Sequence, residues 1–228
     1  MPRIQTKGVC RACEERFSGQ VIGRHLASCP KRPGGTLSVF DLRVSSGPFW
    51  LCLEAAVEAT LEHLDDLLRH TWVECCGHLS AFDIGGTRYQ ADTGGVDGMW
   101  VGMFKPGPDM GMGVPLGRVL RPGLRFTYEY DFGTTTELDL KVLAERQGQS
   151  GKRAIRILAR NDLPKFSCSS CLESESKPAK AICTECQTAL CGACSRKHGC
   201  DEDRRLPLVN SPRAGVCGYT GSAEDEGA

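Results

Sequence analysis

The sequence predicts an α+β fold, a mostly antiparallel sheet with one main helix, flanked at both ends by small cysteine-rich modules. Apolar and polar residues alternate from Leu124 to Phe132, as in a strand that is buried on one face. Leucines recur on one helical face between Leu61 and Leu68, which is typical of an amphipathic helix packed on a core. Eleven of the fourteen cysteines lie near the two ends of the chain.

The N-terminal module, residues 1–33, contains the run Cys10-x2-Cys13-x11-His25-x3-Cys29. A Cys-x2-Cys pair places two thiolates within reach of one ion, and four such pairs occur in the chain. A unit this short cannot bury enough apolar surface to fold without a metal. The run has the order and spacing of a compact CCHC-type finger and resembles the classical zinc-finger group, with Cys in place of the last His, which implies a structural zinc ion.

Basic residues are concentrated in this finger. Residues 1–33 carry seven Lys and Arg against two Asp and Glu, although the whole chain has 28 of each. We therefore expect DNA or RNA to bind through the N-terminal finger, with a protein partner as the alternative, since one finger reads only about three base pairs. The candidate phosphate contacts are Arg3, Lys7, Arg11, Arg16, Arg24, Lys31 and Arg32.

The central domain is predicted over residues 34–164, after a Pro- and Gly-rich linker. Thr60 is the expected N-cap of the main helix, because a Thr hydroxyl accepts a hydrogen bond from the first helical turn. The other elements follow from alternation of apolar residues and from turn signals. In order, we predict strands 37–44 and 49–53, the helix to Leu68, a hairpin 78–90 turning at Gly85-Gly86, a short segment 114–120, and strands 124–132, 138–142 and 154–158.

Three blocks of the central domain resemble the plasmid pRiA4b ORF-3-like family. They are residues 60–68, residues 78–82 and the segment Phe126-Thr-Tyr-Glu-Tyr-Asp-Phe-Gly133. The resemblance covers residues 37–160 and implies an α+β domain of prokaryotic proteins, often in mobile-element contexts, with no established biochemical activity. Family members usually continue after that glycine with an acidic residue, Trp and His, whereas this chain has Thr134-Thr135-Thr136.

The central domain offers two sets of residues with catalytic potential. Carboxylates Glu129, Asp131 and Asp139 could bind a divalent metal, which gives the alternative function of a metal-dependent enzyme acting on nucleic acid. Cys75-Cys76, with His78 nearby, could supply a thiol nucleophile, but nothing in the sequence supplies the base that would activate it. We interpret the carboxylates as a solvated sheet face and the two thiols as buried or unused. We predict no catalytic residue and a non-enzymatic protein.

The C-terminal module, residues 165–219, resembles the cross-braced zinc modules of the RING and B-box type. In such modules the first and third ligand pairs share one ion, which here implies Cys168, Cys171, Cys191 and Cys194. Cys183 and Cys186 would complete the second site with two of three candidates. His198 and Cys200 are separated by one residue and would have to bind one ion at adjacent positions, which is geometrically unfavourable. We therefore favour Cys200 with Cys217. His198 then remains a substitute ligand or an outer donor. The finger and this module together predict about three zinc ions.

Two segments near the C-terminus are more ambiguous. Asn210 and Arg213 are the first and last residues of an Asn-Ser-Pro-Arg run. They could bind a ligand, or the run could form a turn that carries a surface arginine. Residues 220–228, with Glu224-Asp-Glu226, are predicted to be a disordered acidic tail.

The predicted compartment follows from the cysteines and from hydropathy. A disulfide framework would need an oxidising compartment, and the chain shows no apolar leader after Met1. No apolar stretch reaches the roughly 18 residues of a membrane span. We therefore predict a cytoplasmic protein with no membrane partner and with zinc rather than disulfides at its cysteines.

Overall fold

The structure is a computed structural model, and it describes residues 5–91, 110–149, 153–171 and 177–222. Arg3 and the predicted tail at Glu224–Glu226 lie outside the described residues. The strands are β1 (Lys7–Cys10), β2 (Arg16–Ser18), β3 (Leu37–Ser46), β4 (Phe49–Ala56), β5 (Ser80–Ile84), β6 (Thr87–Gln90), β7 (Met110–Gly111), β8 (Arg125–Tyr130), β9 (Thr136–Gly148), β10 (Ile155–Asn161), β11 (Ala181–Cys183), β12 (Ala189–Leu190) and β13 (Arg205–Pro207). The helices are α1 (Ile22–Ser28), α2 (Leu61–Leu68), α3 (Leu116–Val119) and α4 (Gly192–Arg196), with a π-helical turn at Arg69–Val73 and a 3₁₀ turn at Glu202–Arg204.

The large sheet has the strand order β2-β1-β10-β4-β3-β9-β8-β5-β6-β7. All its neighbours are antiparallel except β6 and β7. This architecture confirms the predicted α+β fold with a mostly antiparallel sheet. Strands β11, β12 and β13 form a second, three-stranded sheet in the C-terminal module.

The main core lies between one face of the large sheet and α2. Leu61, Leu64 and Leu68 are fully buried against the inward side chains of the sheet, which include Tyr128 and Tyr130. These tyrosines belong to the alternating run in β8, so the sequence pattern directly predicts which face is buried.

The other face of the sheet is covered at one end by the N-terminal finger. Strand β1 pairs with β10, so that Gly8 lies opposite Asn161. Ile22 and Leu26 of α1 pack in a second apolar cluster with Trp50 of β4. The finger predicted over residues 1–33 therefore contributes two strands to the large sheet.

The N-terminus of α2 carries a capping box, as the sequence predicts for Thr60. The Thr60 hydroxyl accepts a hydrogen bond from the backbone N–H of His63 at 3.4 Å, and Nδ1 of His63 accepts one from the backbone N–H of Thr60 at 3.1 Å. We expect Thr60→Ala to lower the free energy of unfolding by about 1 kcal/mol in urea denaturation, because an N–H group at the helix start loses its partner. The exposed Thr135→Ala is the control, and equal stability of the two variants would contradict the capping role.

No helix among the described residues is long and apolar enough to cross a membrane.

Candidate metal centres and a basic groove

Thirteen of the fourteen cysteines and three of the five histidines fall into four groups that could each hold a metal ion. Within each group the ligand atoms all lie within 4.8 Å of one another. The groups are Cys10, Cys13, His25 and Cys29; Cys75, Cys76, His78 and Cys217; Cys168, Cys171, Cys191 and Cys194; and Cys183, Cys186, His198 and Cys200.

The distances within the groups fit tetrahedral coordination. With Zn–S near 2.3 Å and Zn–N near 2.0 Å, the edge of a tetrahedron is about 3.8 Å between two sulfurs and about 3.5 Å between sulfur and nitrogen. In the finger, Cys13 Sγ lies 3.3 Å from His25 Nε2. In the C-terminal module, Cys171 Sγ lies 3.8 Å from Cys191 Sγ and 3.7 Å from Cys194 Sγ. The residues present therefore suit a Zn²⁺-sized ion.

The finger site is built by a turn and a short helix. After Cys10 and Cys13 the chain turns through Glu14, whose φ of 65° is left-handed, and α1 then supplies His25. The ring of Phe17 stacks on the imidazole of His25 at 3.8 Å between centroids, which fixes the plane of the ligand ring. Cys29 follows as the C-cap of α1, so all four predicted residues converge.

The first site of the C-terminal module has the composition that the cross-braced resemblance implies. Cys168 and Cys171 meet the third pair, Cys191 and Cys194, across the module. Burial opposes ionisation of Cys168, but backbone N–H groups at Cys191 and Ser170 and neighbouring thiols lower its pKa to about 6. A low pKa favours the thiolate, which is the form that binds metal.

The second site of this module corrects the favoured ligand set. Cys183 and Cys186 are joined by His198 and Cys200, with Cys186 Sγ 3.3 Å from His198 Nε2, whereas Cys217 lies in another group. A hydrogen bond with the Thr188 hydroxyl, at 3.0 Å, lowers the pKa of Cys186 to about 6.

The His198-x-Cys200 pair is possible because the chain bends sharply after α4. The guanidinium of Arg205 donates from Nη2 to the carbonyl oxygens of His198 at 3.3 Å and Cys200 at 2.9 Å. Both carbonyl oxygens thus bind the Arg205 guanidinium. The side chains of His198 and Cys200 then converge on those of Cys183 and Cys186. The short spacing of this pair is therefore no obstacle, because Arg205 holds the bend that brings both side chains to one site.

The fourth group contains residues that sequence reasoning set aside. Cys75, Cys76 and His78 follow the π-helical turn, and Cys217 reaches them from the end of the C-terminal module. These thiols are neither buried nor isolated, since Cys76 is exposed and lies 3.0 Å from His78 Nε2. Cys52 is the one cysteine outside the four groups, and burial raises its pKa to about 12.

The three candidate catalytic carboxylates do not converge on a metal site in the part of the chain that is described. Glu129 pairs with Arg88 at 2.9 Å, and Asp139 lies opposite Thr127 in the register of β8 and β9. Asp131 is buried and has a left-handed φ of 63°. The three carboxylates therefore lie in separate environments.

Asp131 is bound by Arg213, one of the two ambiguous C-terminal residues. Arg213 is 0% exposed and donates from Nη2 to Asp131 Oδ2 at 2.6 Å. Burial raises the pKa of Asp131. The hydrogen bonds from Arg213 and from the N–H groups of Thr134 and Gly133 lower it by more, so the pKa of Asp131 lies below its ordinary value. Asn210 makes two hydrogen bonds with Asn161: its Oδ1 accepts from Asn161 Nδ2 at 2.9 Å, and its Nδ2 donates to the backbone carbonyl of Asn161 at 2.6 Å. Arg213 is therefore a buried arginine rather than a surface one.

Two of the predicted phosphate contacts in the finger form ion pairs within the chain, Arg32 in a buried position and Arg16 in an exposed one. The side chain of Arg32 is 4% exposed and binds Asp41 and Glu54, which ties the end of the finger to the sheet. Arg16 pairs with Asp162. Arg24 of α1 is exposed and lines a groove between α1 and the uncovered face of the sheet.

This groove has a volume of about 930 Å³, and a row of three cations crosses its floor. Arg43 of β3 lies directly opposite Lys141 of β9, and Lys141 lies directly opposite Arg125 of β8. The guanidinium of Arg43 sits 5.7 Å from the centroid of the buried Trp50 ring and donates to the carbonyl of Gly19. We call Arg43, Lys141 and Arg125 the basic row.

The comparisons with known proteins give the chain a structural similarity only. No family model and no curated protein sequence matches it. Among solved structures it is similar to MM3350, a protein of unknown function from Methanosarcina mazei Go1, at 16% identity and a TM-score of 0.44, over 60% of this chain and 74% of that one.

Proposed function

We propose that this chain is a zinc-stabilised, non-enzymatic protein that binds nucleic acid along the groove between α1 and the open face of the sheet. Zinc is the proposed ion because thiolate and imidazole ligands in sets of four suit structural Zn²⁺. Thiolates stay available in a reducing compartment, so we propose a cytoplasmic location. Membership of the pRiA4b ORF-3-like family, with its mobile-element contexts, remains part of this proposal.

The basic row is the observation that supports a polyanionic ligand. Like charges directly opposite each other on neighbouring strands destabilise a sheet, by a few tenths to about 1 kcal/mol per pair. Lys141 has a cation on both sides, at Arg43 and at Arg125. A chain with zero net charge has no global reason to gather cations here, whereas a phosphate backbone would neutralise them.

The carboxylates near the groove do not cancel this charge. Asp41 is buried and already bound by Arg32, with Arg146 as a second partner. Asp139 is exposed beside the basic row, while Arg24 adds a fourth cation from the opposite wall. The groove therefore has a net positive charge, with three cations on its floor and one on the wall formed by α1.

The basic row predicts a steep salt dependence of binding. The three cations of the basic row and Arg24 could make four phosphate contacts, which give a slope of log K against log salt of about −3 to −4 on duplex DNA and about −3 on a single strand. The measurement is fluorescence anisotropy of labelled duplex DNA, single-stranded DNA and RNA at several salt concentrations. Absence of binding at low salt with protein near 10⁻⁴ M, where non-specific binding is normally visible, would refute the proposal.

Replacing two cations of the row should separate binding from stability. We expect Arg125→Gln/Lys141→Gln to reduce the salt slope by about two, while the like-charge repulsion in the sheet is relieved and stability rises slightly. The control is Arg118→Gln/Lys180→Gln, which removes the same charge from exposed positions outside the groove. Equal loss of affinity in both double variants would indicate that only net charge matters and would contradict a groove site.

A further inference from the structure

A group of four ligands joins two distant parts of the chain. Cys76 Sγ lies 3.5 Å from Cys75 Sγ and 3.6 Å from Cys217 Sγ, and His78 Nε2 lies 3.3 Å from Cys217 Sγ. These separations match the edges of a ZnS₃N tetrahedron. We infer that Cys75, Cys76, His78 and Cys217 bind a zinc ion that fastens the C-terminal segment, residues 208–219, to the central domain.

The loop that supplies three of the ligands is held in place without the metal. The Tyr130 hydroxyl accepts hydrogen bonds from the backbone N–H groups of Cys75 at 3.4 Å and His78 at 3.2 Å. It donates to Glu74 Oε1 at 2.8 Å, and the same oxygen accepts from the backbone N–H of Gly77 at 2.6 Å. Tyr130 and Glu74 thus organise the loop around a shared hydrogen-bond network.

The backbone at Cys217 is an independent sign of a ligand. Cys217 has a φ of 49°, a left-handed conformation that costs a residue with a side chain on the order of 1 kcal/mol. The next residue, Gly218, also has a positive φ of 70°. The tight turn directs the Cys217 thiol to His78 and Cys76, and the gain from a metal bond would offset the strain.

The surroundings also suit the charge of such a site. Three thiolates around Zn²⁺ leave one net negative charge, and outer donors normally stabilise it. Arg213 supplies one, since its Nε lies 3.4 Å from Cys75 Sγ. Arg213 belongs to the same C-terminal segment as Cys217, so one short stretch delivers both a ligand and an outer hydrogen-bond donor, while the charge of Arg213 is paired with Asp131.

This site differs from the other three in its reach along the chain. Cys217 is separated from Cys76 by 141 residues, whereas the finger and the two sites of the C-terminal module are each closed within their own module. Closing a long loop restricts the unfolded chain more than closing a short one. The C-terminal segment also docks through Ser211, whose hydroxyl donates to the Trp72 carbonyl at 2.5 Å. The ion would therefore complete an interface whose polar contacts are already formed.

The test compares metal content and local protection of Cys217→Ser with those of the wild type. We expect wild type to hold one more zinc per chain, measured by mass spectrometry under native conditions with a phosphine reductant. Amide exchange should become faster in residues 208–219 of the variant and stay unchanged in residues 181–207. Cys52→Ala is the control, because it removes one thiol outside the four groups.

Three outcomes would overturn the inference. The first is equal zinc content in Cys217→Ser and wild type, and the second is loss of one ion with unchanged exchange in residues 208–219. The third is a Cys76–Cys217 disulfide in peptide maps of protein purified with reductant. If the variant does not fold, cadmium-113 NMR of wild type decides the question, because four resonances, one from an S₄ site and three from S₃N sites, are expected, and three would contradict the fourth site.

Discussion

A strong chelator is expected to unfold residues 177–207 while the central sheet stays folded. Strands β11, β12 and β13 have only two or three residues each, and α4 has five. Residues 177–207 have few buried apolar side chains apart from the metal ligands, and these are Ala179 and Leu190. In such a unit the free energy of metal binding is the free energy of folding, about 10–16 kcal/mol for structural zinc at neutral pH.

Amide exchange measured with and without chelator checks this prediction. Protection across β11 and β13 should fall to the level of an unfolded peptide, while β3, β4 and β9 keep theirs because the main core needs no metal. A single ligand change, Cys183→Ser, should have the same local effect and cost one zinc ion, whereas Cys52→Ala should cost none. Wild-type protection in β11 after complete removal of zinc would show that packing alone folds the module.

The central elements were predictable because each depends on a local pattern. The helix has Thr60 as its N-cap and ends at Leu68, and the hairpin turns at Gly85 and Gly86, as the sequence predicts. Alternation in β8 reflects burial of one face, and that burial is a property of the strand itself. In contrast, the pairing of β1 with β10 joins residues about 150 positions apart, and no local signal in Lys7–Cys10 reports it.

The sequence predicts most of the candidate metal ligands, but it does not predict every set of them that converges on one site. The C-terminal module has nine candidate ligands, and two tetrahedral sites need eight, so one candidate is not required by these two sites. Cys75, Cys76 and His78 are three ligands without a fourth, and Cys217 completes them. Counting ligands over the whole chain indicates this group, whereas the interpretation of Cys75-Cys76 as a buried or unused pair does not.

The basic row could not be read from the sequence, because its members belong to three different strands. Arg43, Lys141 and Arg125 become neighbours only through the register of β3, β9 and β8, and a bulge shifts that register after Asp41. The concentration of charge in residues 1–33 pointed to the finger instead. The finger contributes Arg24 to the groove, whereas Arg32 forms ion pairs with the buried carboxylates of Asp41 and Glu54.

Arg213→Leu is expected to lower the free energy of unfolding by about 3–5 kcal/mol, because it leaves Asp131 buried without its cation. Arg213 is 0% exposed and also donates to the Thr134 carbonyl at 3.1 Å and the Thr136 hydroxyl at 2.9 Å. Its guanidinium lies 4.9 Å from the centroid of the Tyr130 ring. Urea denaturation gives the change, with metal content measured in parallel to separate this effect from loss of zinc.

A double variant decides how much of this cost comes from the pair itself. Asp131→Asn removes the charge but keeps a residue type that tolerates the left-handed backbone at this position. If the unpaired carboxylate dominates, Arg213→Leu/Asp131→Asn should be more stable than the sum of the single changes by about 1–3 kcal/mol. The exposed Arg118→Gln should change stability by less than about 0.5 kcal/mol. Strict additivity would instead assign the cost to the contacts of Arg213 with Thr134, Thr136 and Tyr130, because those contacts do not depend on the charge of Asp131.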